Sequence, residues 1–228
     1  MAKENQVPLP ALERLSTYIR SLIQLEHDGI EFVSSQDMQA HTGVSAAQFR
    51  KDLSYFGEFG KRGIGYNVKE LHARIAQLLN IDEEQNVLLV GAGHLGSALI
   101  AYPGWRAYRF KIAAVFDRDP ERIGSTIRRL TIHDIAELEA VNRTVGARIA
   151  ILAIPAWEAQ GIAERLVASG IRGIINFAPI KLQVPEKVVV REVCFICELA
   201  ISSHLIHHQP EPNGSQQPAA DAEPGTGA

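Results

Sequence analysis

The run Val87-Leu88-Leu89-Val90-Gly91-Ala92-Gly93-His94-Leu95-Gly96 constrains the fold of this chain more than any other stretch. An apolar segment of strand length leads straight into G-x-G-x-x-G, and Ser97-Ala98-Leu99-Ile100-Ala101-Tyr102 continues as a helix. In that setting the glycines have separate tasks. Gly91 permits the tight turn, Gly93 lets backbone approach a pyrophosphate, and Gly96 lets helix and strand pack closely. The helix start offers unpaired N–H groups to phosphate. Gly91, Ala92, Gly93, His94, Leu95 and Gly96 are therefore expected to cradle a dinucleotide.

Further short β-branched runs alternate with helical stretches: 111–116, 147–154 and 170–177. This alternation predicts an α/β, Rossmann-type doubly wound domain over 82–193 with a mostly parallel sheet. Asp117 ends the second run, where an acid bonds the ribose hydroxyls and repels a 2′-phosphate, favouring NADH/NAD+ over the phosphorylated form. Arg118 and Arg122 nearby weaken that preference. Ala153, Ile154 and Pro155, and Asn176, Phe177, Ala178 and Pro179, follow the later strands on the side expected to hold the nicotinamide half, with core or turn roles as the competing reading.

Residues 1–81 read differently. Ser34 or Ser35 is placed to cap a short helix ending near His41, Gly43 to turn the chain, and Ser45 with Gln48 to form a capping box. In the second helix Phe49, Leu53 and Phe56 fall on one face. Ser45, Ala46, Ala47, Arg50, Lys51, Ser54 and Tyr55 are expected on the other, facing a DNA groove and its phosphates. Glycines 57, 60, 63 and 65 bracket Lys61 and Arg62, as a cationic hairpin tip requires. Helix, turn, helix and wing in that order predict a winged-helix DNA-binding domain, with Lys61, Arg62 and Gly63 at the DNA. The whole chain carries a formal charge of −3, so the DNA reading rests on local placement of charge, with Asp52 and Glu58 counted against the four cations of this segment.

No apolar run reaches the roughly 20 residues of a membrane span, and the first residues lack a signal-peptide pattern. Two cysteines, Cys194 and Cys197, are too few for a secreted disulfide framework; a cytoplasmic protein is expected, with the C-x-x-C cysteines as buried packing thiols and a thiol-redox pair as the competing reading. No histidine falls at a spacing that predicts a metal site. A helix is expected over 194–208, and the Pro-, Gly-, Ala- and Gln-rich stretch 209–228 is expected to be disordered.

These segments resemble the Rex redox-sensing repressors over about residues 8 to 206. The resemblance is carried by PLPALERLSTYIRSL, VSAAQFRKDLSYFGEFGKRGIGYNV, VLLVGAGHLGSALIAY, FDRDP and INFAPIKLQVP. It implies a homodimeric repressor that binds an inverted-repeat operator with NAD+ and is released by NADH. It also implies that the helix over 194–208 swaps between subunits, bringing Phe195 to the partner's nicotinamide. Arg14 and Tyr102 match positions that sense the redox state together with an aspartate before that helix. Here the triplet is Val193-Cys194-Phe195, so Cys194 stands where that aspartate is expected. Two other readings stay open at this stage: an NAD-dependent oxidoreductase with an N-terminal nucleic-acid-binding appendage, against which no catalytic residue set appears, and a scaffold with a vestigial nucleotide site.

Overall fold

The computed structural model describes residues 7–57, 60 and 63–208. Lys61 and Arg62 at the expected wing tip, and the expected disordered tail over 209–228, lie outside them. Three apolar cores organise residues up to 192, and the chain from 193 onward forms a second unit.

The first core gathers helix α1 (Leu9–His27), α2 (Ser35–Thr42), α3 (Ala46–Ser54) and α4 (Val68–Leu78). In α1, Leu15, Tyr18, Ile19, Leu22 and Leu25 recur at helical spacing and are buried. They meet Phe49, whose ring stands edge-on to Tyr18 at 4.9 Å and to Tyr66 at 5.3 Å. Ser34 caps α2, with Asp37 completing a capping box, and Gly43 ends it at φ 72°. Ser45 caps α3 by accepting from the Gln48 N–H, but the expected box is half made: the Gln48 side chain donates to Asp52 instead.

On the return side of the expected wing, strand β2 (Tyr66–Asn67) pairs antiparallel with β1 (Phe32–Val33), which lies between α1 and α2. Gly65 makes that pairing possible: a Cβ there would lie 2.5 Å from the Val33 carbonyl oxygen.

The remaining cores lie on the two faces of one sheet. In chain order its strands are β3 (Gln85–Val90), β4 (Phe110–Asp117), β5 (Thr126–Ile127), β6 (Leu130–Asp134), β7 (Ile149–Leu152), β8 (Gly173–Asn176) and β9 (Val189–Glu192). Their spatial order is β5-β6-β4-β3-β7-β8-β9, parallel except for β5. Omitting β5 leaves the 3-2-1-4-5-6 order of a doubly wound dinucleotide fold. Along β3 the side chains alternate: Val87 and Leu89 pack toward α5 (His94–Ala101), Leu88 and Val90 toward α6 (Leu138–Val145) and α7 (Ala156–Ala168). The hairpin strands β5 and β6, and β9, were not expected from the sequence.

The order reverses between β3 and β7, and Gly91 and Ala153 leave the sheet there side by side. A Cβ at Gly91 would lie 2.3 Å from the Ala153 oxygen, and one at Gly96 would lie 1.8 Å from the Gly91 oxygen. Gly93 meets nothing closer than 3.6 Å. Accordingly, Gly96→Ala is expected to lower stability by about 3 kcal/mol in chemical denaturation, at the upper end of overpacking costs. Gly93→Ala should leave the midpoint nearly unchanged, and equal effects from both would contradict this packing.

Candidate functional site

At the carboxyl ends of β3, β4 and β7 lies a cleft of about 690 Å³, a size suited to a small molecule or cofactor. Of the residues expected to hold the nucleotide, Gly91, Gly93, Asp117, Ala153, Ile154 and Pro155 line it. His94, Leu95 and Gly96 form the first turn of α5, with Gly93 as its cap. Their N–H groups have no acceptor within the helix, so they contribute as backbone donors rather than by their side chains. Ala92 is buried, and its N–H donates to Asp117 at 2.8 Å.

Asp117 is more heavily engaged than a free ribose acceptor. One oxygen accepts from the N–H groups of Arg118 (2.8 Å) and Asp119 (3.0 Å). The other accepts from Ala92 and, at 3.3 Å, from Arg122. Burial pushes its carboxyl up, but these donors outweigh burial and hold it below the usual carboxylate range. All four lone-pair positions are filled, and the Arg122 contact is the longest of them.

Arg118, next in the chain, also lines the cleft. Its guanidinium lies 4.1 Å above the Trp157 ring and 3.1 Å from Glu158, which faces the cleft. Burial raises the Glu158 carboxyl, Arg118 lowers it and Asp117 raises it further, with a net rise. Glu158 and Trp157 carry no fingerprint in the sequence, because their place depends on where α7 begins after Pro155.

Asn176, Phe177, Ala178 and Pro179 do not line the cleft. Asn176 is 1% exposed and shapes its own turn, donating to the carbonyls of Ala178 and Ile180 and accepting from the Ala178 N–H. Phe177 packs against the core on the α5 face.

On α3, Ala47, Arg50, Lys51, Ser54 and Tyr55 are exposed together with the cap Ser45. Ala46 departs from this face: it is buried, and its N–H donates to the Gln39 side chain. Arg50 is anchored through a 2.6 Å bond to Ser35 Oγ, which aims it while leaving donors over. Gly63, beside the wing tip, adopts a positive φ of 80°.

Asp52 was counted with the surface charge of this segment, but it is fully buried. Arg14 from α1 holds both of its oxygens at 2.6 and 2.7 Å, and Tyr18 and Gln48 each add a bond at 2.7 Å. Burial pushes the Asp52 carboxyl up, yet the bonds from Arg14, Tyr18 and Gln48 win and hold it low; Arg14 and Tyr18 are raised in turn. The acid therefore subtracts nothing from the cationic face. Of the two positions expected to sense the redox state, Arg14 bonds Asp52, and the Tyr102 ring stands edge-on to Trp105 at 5.9 Å.

In the second unit, helix α8 (Phe195–His207) is capped by Cys194. Cys194 and Cys197 are exposed and joined in a disulfide, not buried as packing thiols, because the helix has no buried face for them. Phe195, Ile196, Leu199, Ile201, Leu205 and Ile206 are each more than half exposed. Among the described residues no cluster of metal-ligating side chains occurs, and no helix is long and apolar enough to cross a membrane.

Comparison with known proteins extends these observations. Residues 82–180 match the family model of a CoA binding domain, and residues 6–54 that of a DNA-binding protein N-terminus. The chain is 47% identical to the redox-sensing transcriptional repressor Rex of Carboxydothermus hydrogenoformans, covering 86% of this chain and 94% of that protein. It is 42% identical to the Rex of Desulfitobacterium hafniense, over 87% and 95%. Among solved structures it resembles RSP in complex with β-NAD+ and operator DNA (TM-score 0.83, 35% identity, 88% of this chain and 93% of that one). It also resembles RSP in complex with β-NADH (TM-score 0.80, 33% identity, 89% and 95%).

The buried Arg14–Asp52 pair yields a signed prediction. Arg14→Met should cost about 3 kcal/mol near neutral pH, because it strands a buried carboxylate. The wild-type advantage should be full above about pH 4, where an unfolded aspartate is ionised. It should shrink as pH falls through the depressed value of folded Asp52, since a protonated acid no longer needs Arg14. Urea denaturation of both proteins from pH 7 to pH 3 checks it, and a constant gap would contradict it.

Proposed function

The chain belongs to the Rex family of redox-sensing transcriptional repressors, and from that premise we propose that it is an NADH-responsive repressor of an inverted-repeat operator. The observation that carries this reading is the presence in one chain of two unrelated sites: a dinucleotide cleft at the sheet's switch point and a cationic α3 face followed by a glycine-rich wing. The relatives are named as repressors, and RSP is complexed with NAD+, NADH and operator DNA in its solved structures. The protein is a regulator and not an enzyme. Although one matching family model is named for CoA, the acid ending β4 and the RSP complexes support NADH/NAD+ as the nucleotide.

The domain roles follow this reading: residues 1–81 for DNA, 82–193 for the nucleotide, and 194–208 for assembly. The protein acts as a cytoplasmic homodimer. A two-fold operator calls for a two-fold protein, and the row of exposed apolar side chains on α8 supports a helix that is covered by a second copy. Phe195 then approaches the partner's nicotinamide.

In the cleft, the ribose displaces the weakest of the four Asp117 contacts, that of Arg122. The released Arg122 Nη1 lies beside Gly93, 3.6 Å from where a Cβ would stand and within reach of the pyrophosphate, while Nε stays 3.4 Å from Asp119. Arg14 is already committed to Asp52, at the base of the DNA-facing helix. Movement of α1 is thereby passed to α3 without an aspartate at position 194. Cys194 gives the switch a second input. A peroxide oxidises the two thiols to the disulfide, taking two electrons and leaving as two waters, and a dithiol reverses it.

Fluorescence anisotropy on a labelled A·T-centred inverted repeat, titrated with NADH or NAD+ at fixed salt, tests this function. Release is expected with NADH and not with NAD+; indifference to both would remove the redox switch. Lys51→Ala should weaken binding across all sequences and flatten the salt slope by about 1, while Gly93→Val should bind operator but ignore NADH.

The thiol input predicts that peroxide changes operator affinity or NADH release in the wild type, reversed by dithiothreitol and absent in Cys194→Ser. Identical curves in both redox states would leave Cys194 without a regulatory role.

A further inference from the structure

Among the described residues, four that are not glycine adopt a positive φ: Asn80, Arg109, Arg128 and Arg129. Left-handed backbone disfavours a side chain with a Cβ, and such residues concentrate where function over-determines them. The three arginines converge. All of them line a single cleft of about 1070 Å³, together with Arg106 and Lys111.

Arg128 and Arg129 are the two central residues of the hairpin between β5 and β6, closed by the Ile127–Leu130 pair. With φ of 46° and 72° they form a turn of the kind that asparagine and glycine fill readily. Two arginines are a poor local choice there, and neither side chain is bonded to an acid among the described residues. Arg109 ends the short helix Pro103–Tyr108 at φ 53° and is likewise unpaired by its side chain, as is Arg106. Among the described residues Glu84 is the only carboxylate in the lining, 3.8 Å from Lys111, and both of these side chains are more than half exposed. Five cations thus face one acid in a concave surface of a chain whose net charge is −3, and a concave wall of one sign focuses potential.

This cleft lies at the amino end of β4, where Phe110, Lys111 and Ile112 line it. The nucleotide cleft lies at the other end, at Asp117, an eight-residue strand away, roughly 25 Å. The two are separate sites.

We propose that the arginine cleft is a second anion site, for a small molecule carrying two or more phosphate groups. Planar guanidinium groups without internal partners match phosphate oxygens in paired bonds. The concave shape favours a compact ligand over a duplex, which presents its phosphates on a convex cylinder. Tyr102, exposed at the rim, offers a flat face to a base.

Calorimetric titration of the full chain with tripolyphosphate, with and without saturating NADH, tests the site. The decisive variant is Arg128→Asn with Arg129→Gly, which removes two cations and installs residues the turn favours. Wild type is expected to bind tripolyphosphate in the presence of NADH. The double variant should bind it at least tenfold more weakly, bind NADH as before, and melt at a higher temperature. Tighter binding of ATP than of tripolyphosphate would assign the base to Tyr102; equal binding would leave inorganic polyphosphate as the ligand class. No binding by wild type, competition by NADH, an unchanged affinity in the double variant, or a lower melting temperature for it would each overturn the proposal. So would a loss confined to operator affinity with a flatter salt slope, which would place the arginines on DNA.

Discussion

The nucleotide-binding half of this protein depends on a contact with no room to spare: the Gly91 carbonyl against the Gly96 backbone. With 1.8 Å between that oxygen and any added Cβ, α5 can descend onto β3 at one depth only. That depth leaves the first-turn N–H groups of α5 at the mouth of the cleft. It also sets Ala92 where its N–H reaches Asp117 at the end of the neighbouring strand. The loop is therefore cross-linked to β4 before any ligand arrives. A preformed loop of this kind spares a dinucleotide the entropy of ordering it.

Electrostatics divides the two ends of the molecule in different ways. At α3 the acid is removed from the surface: Asp52 is buried under Arg14, Tyr18 and Gln48, so the exposed side of the helix keeps Arg50 and Lys51 uncompensated. At Asp117 the acid is kept in the cleft but saturated by backbone donors, with Arg122 as the one long and replaceable partner. A negatively charged chain can thus offer a positive face to DNA, because DNA responds to local potential within about a Debye length rather than to net charge.

Much of this was legible in the sequence where local chemistry dictates the answer. The glycines of 91–96 sit where close approach excludes a Cβ, and Ser34, Gly43 and Ser45 bound their helices as capping preferences require. What escaped depended on contacts distant in sequence. Asp52 looks like a surface charge until Arg14, 38 residues earlier, is folded onto it. Ala46 looked outward from helical phase alone, but Gln39 draws the start of α3 inward. The strand that pairs with Tyr66–Asn67 was not legible, because Phe32–Val33 is too short a strand to announce itself. For the Asn176–Pro179 segment the turn was the competing reading, and its hydrogen bonds do close on the segment itself.

Coupling between the two sites needs an element that both of them hold, and β4 meets that condition. Phe110 at its start packs into the helical core that contains Phe49 and Leu53 of α3, and also into the sheet core. Asp117 at its end closes the nucleotide cleft. Between them Val115 and Phe116 are fully buried, so the strand has no slack with which to absorb a shift at one end. The energy required is small. A coupling of about 1–3 kcal/mol changes operator affinity by roughly 5- to 150-fold, and by linkage operator DNA weakens NADH binding by the same factor. That is comparable to one lost contact in a packed core, so a shift in how Phe110 seats against the helices is energetically sufficient, and neither domain has to unfold for the nucleotide to be felt at the DNA.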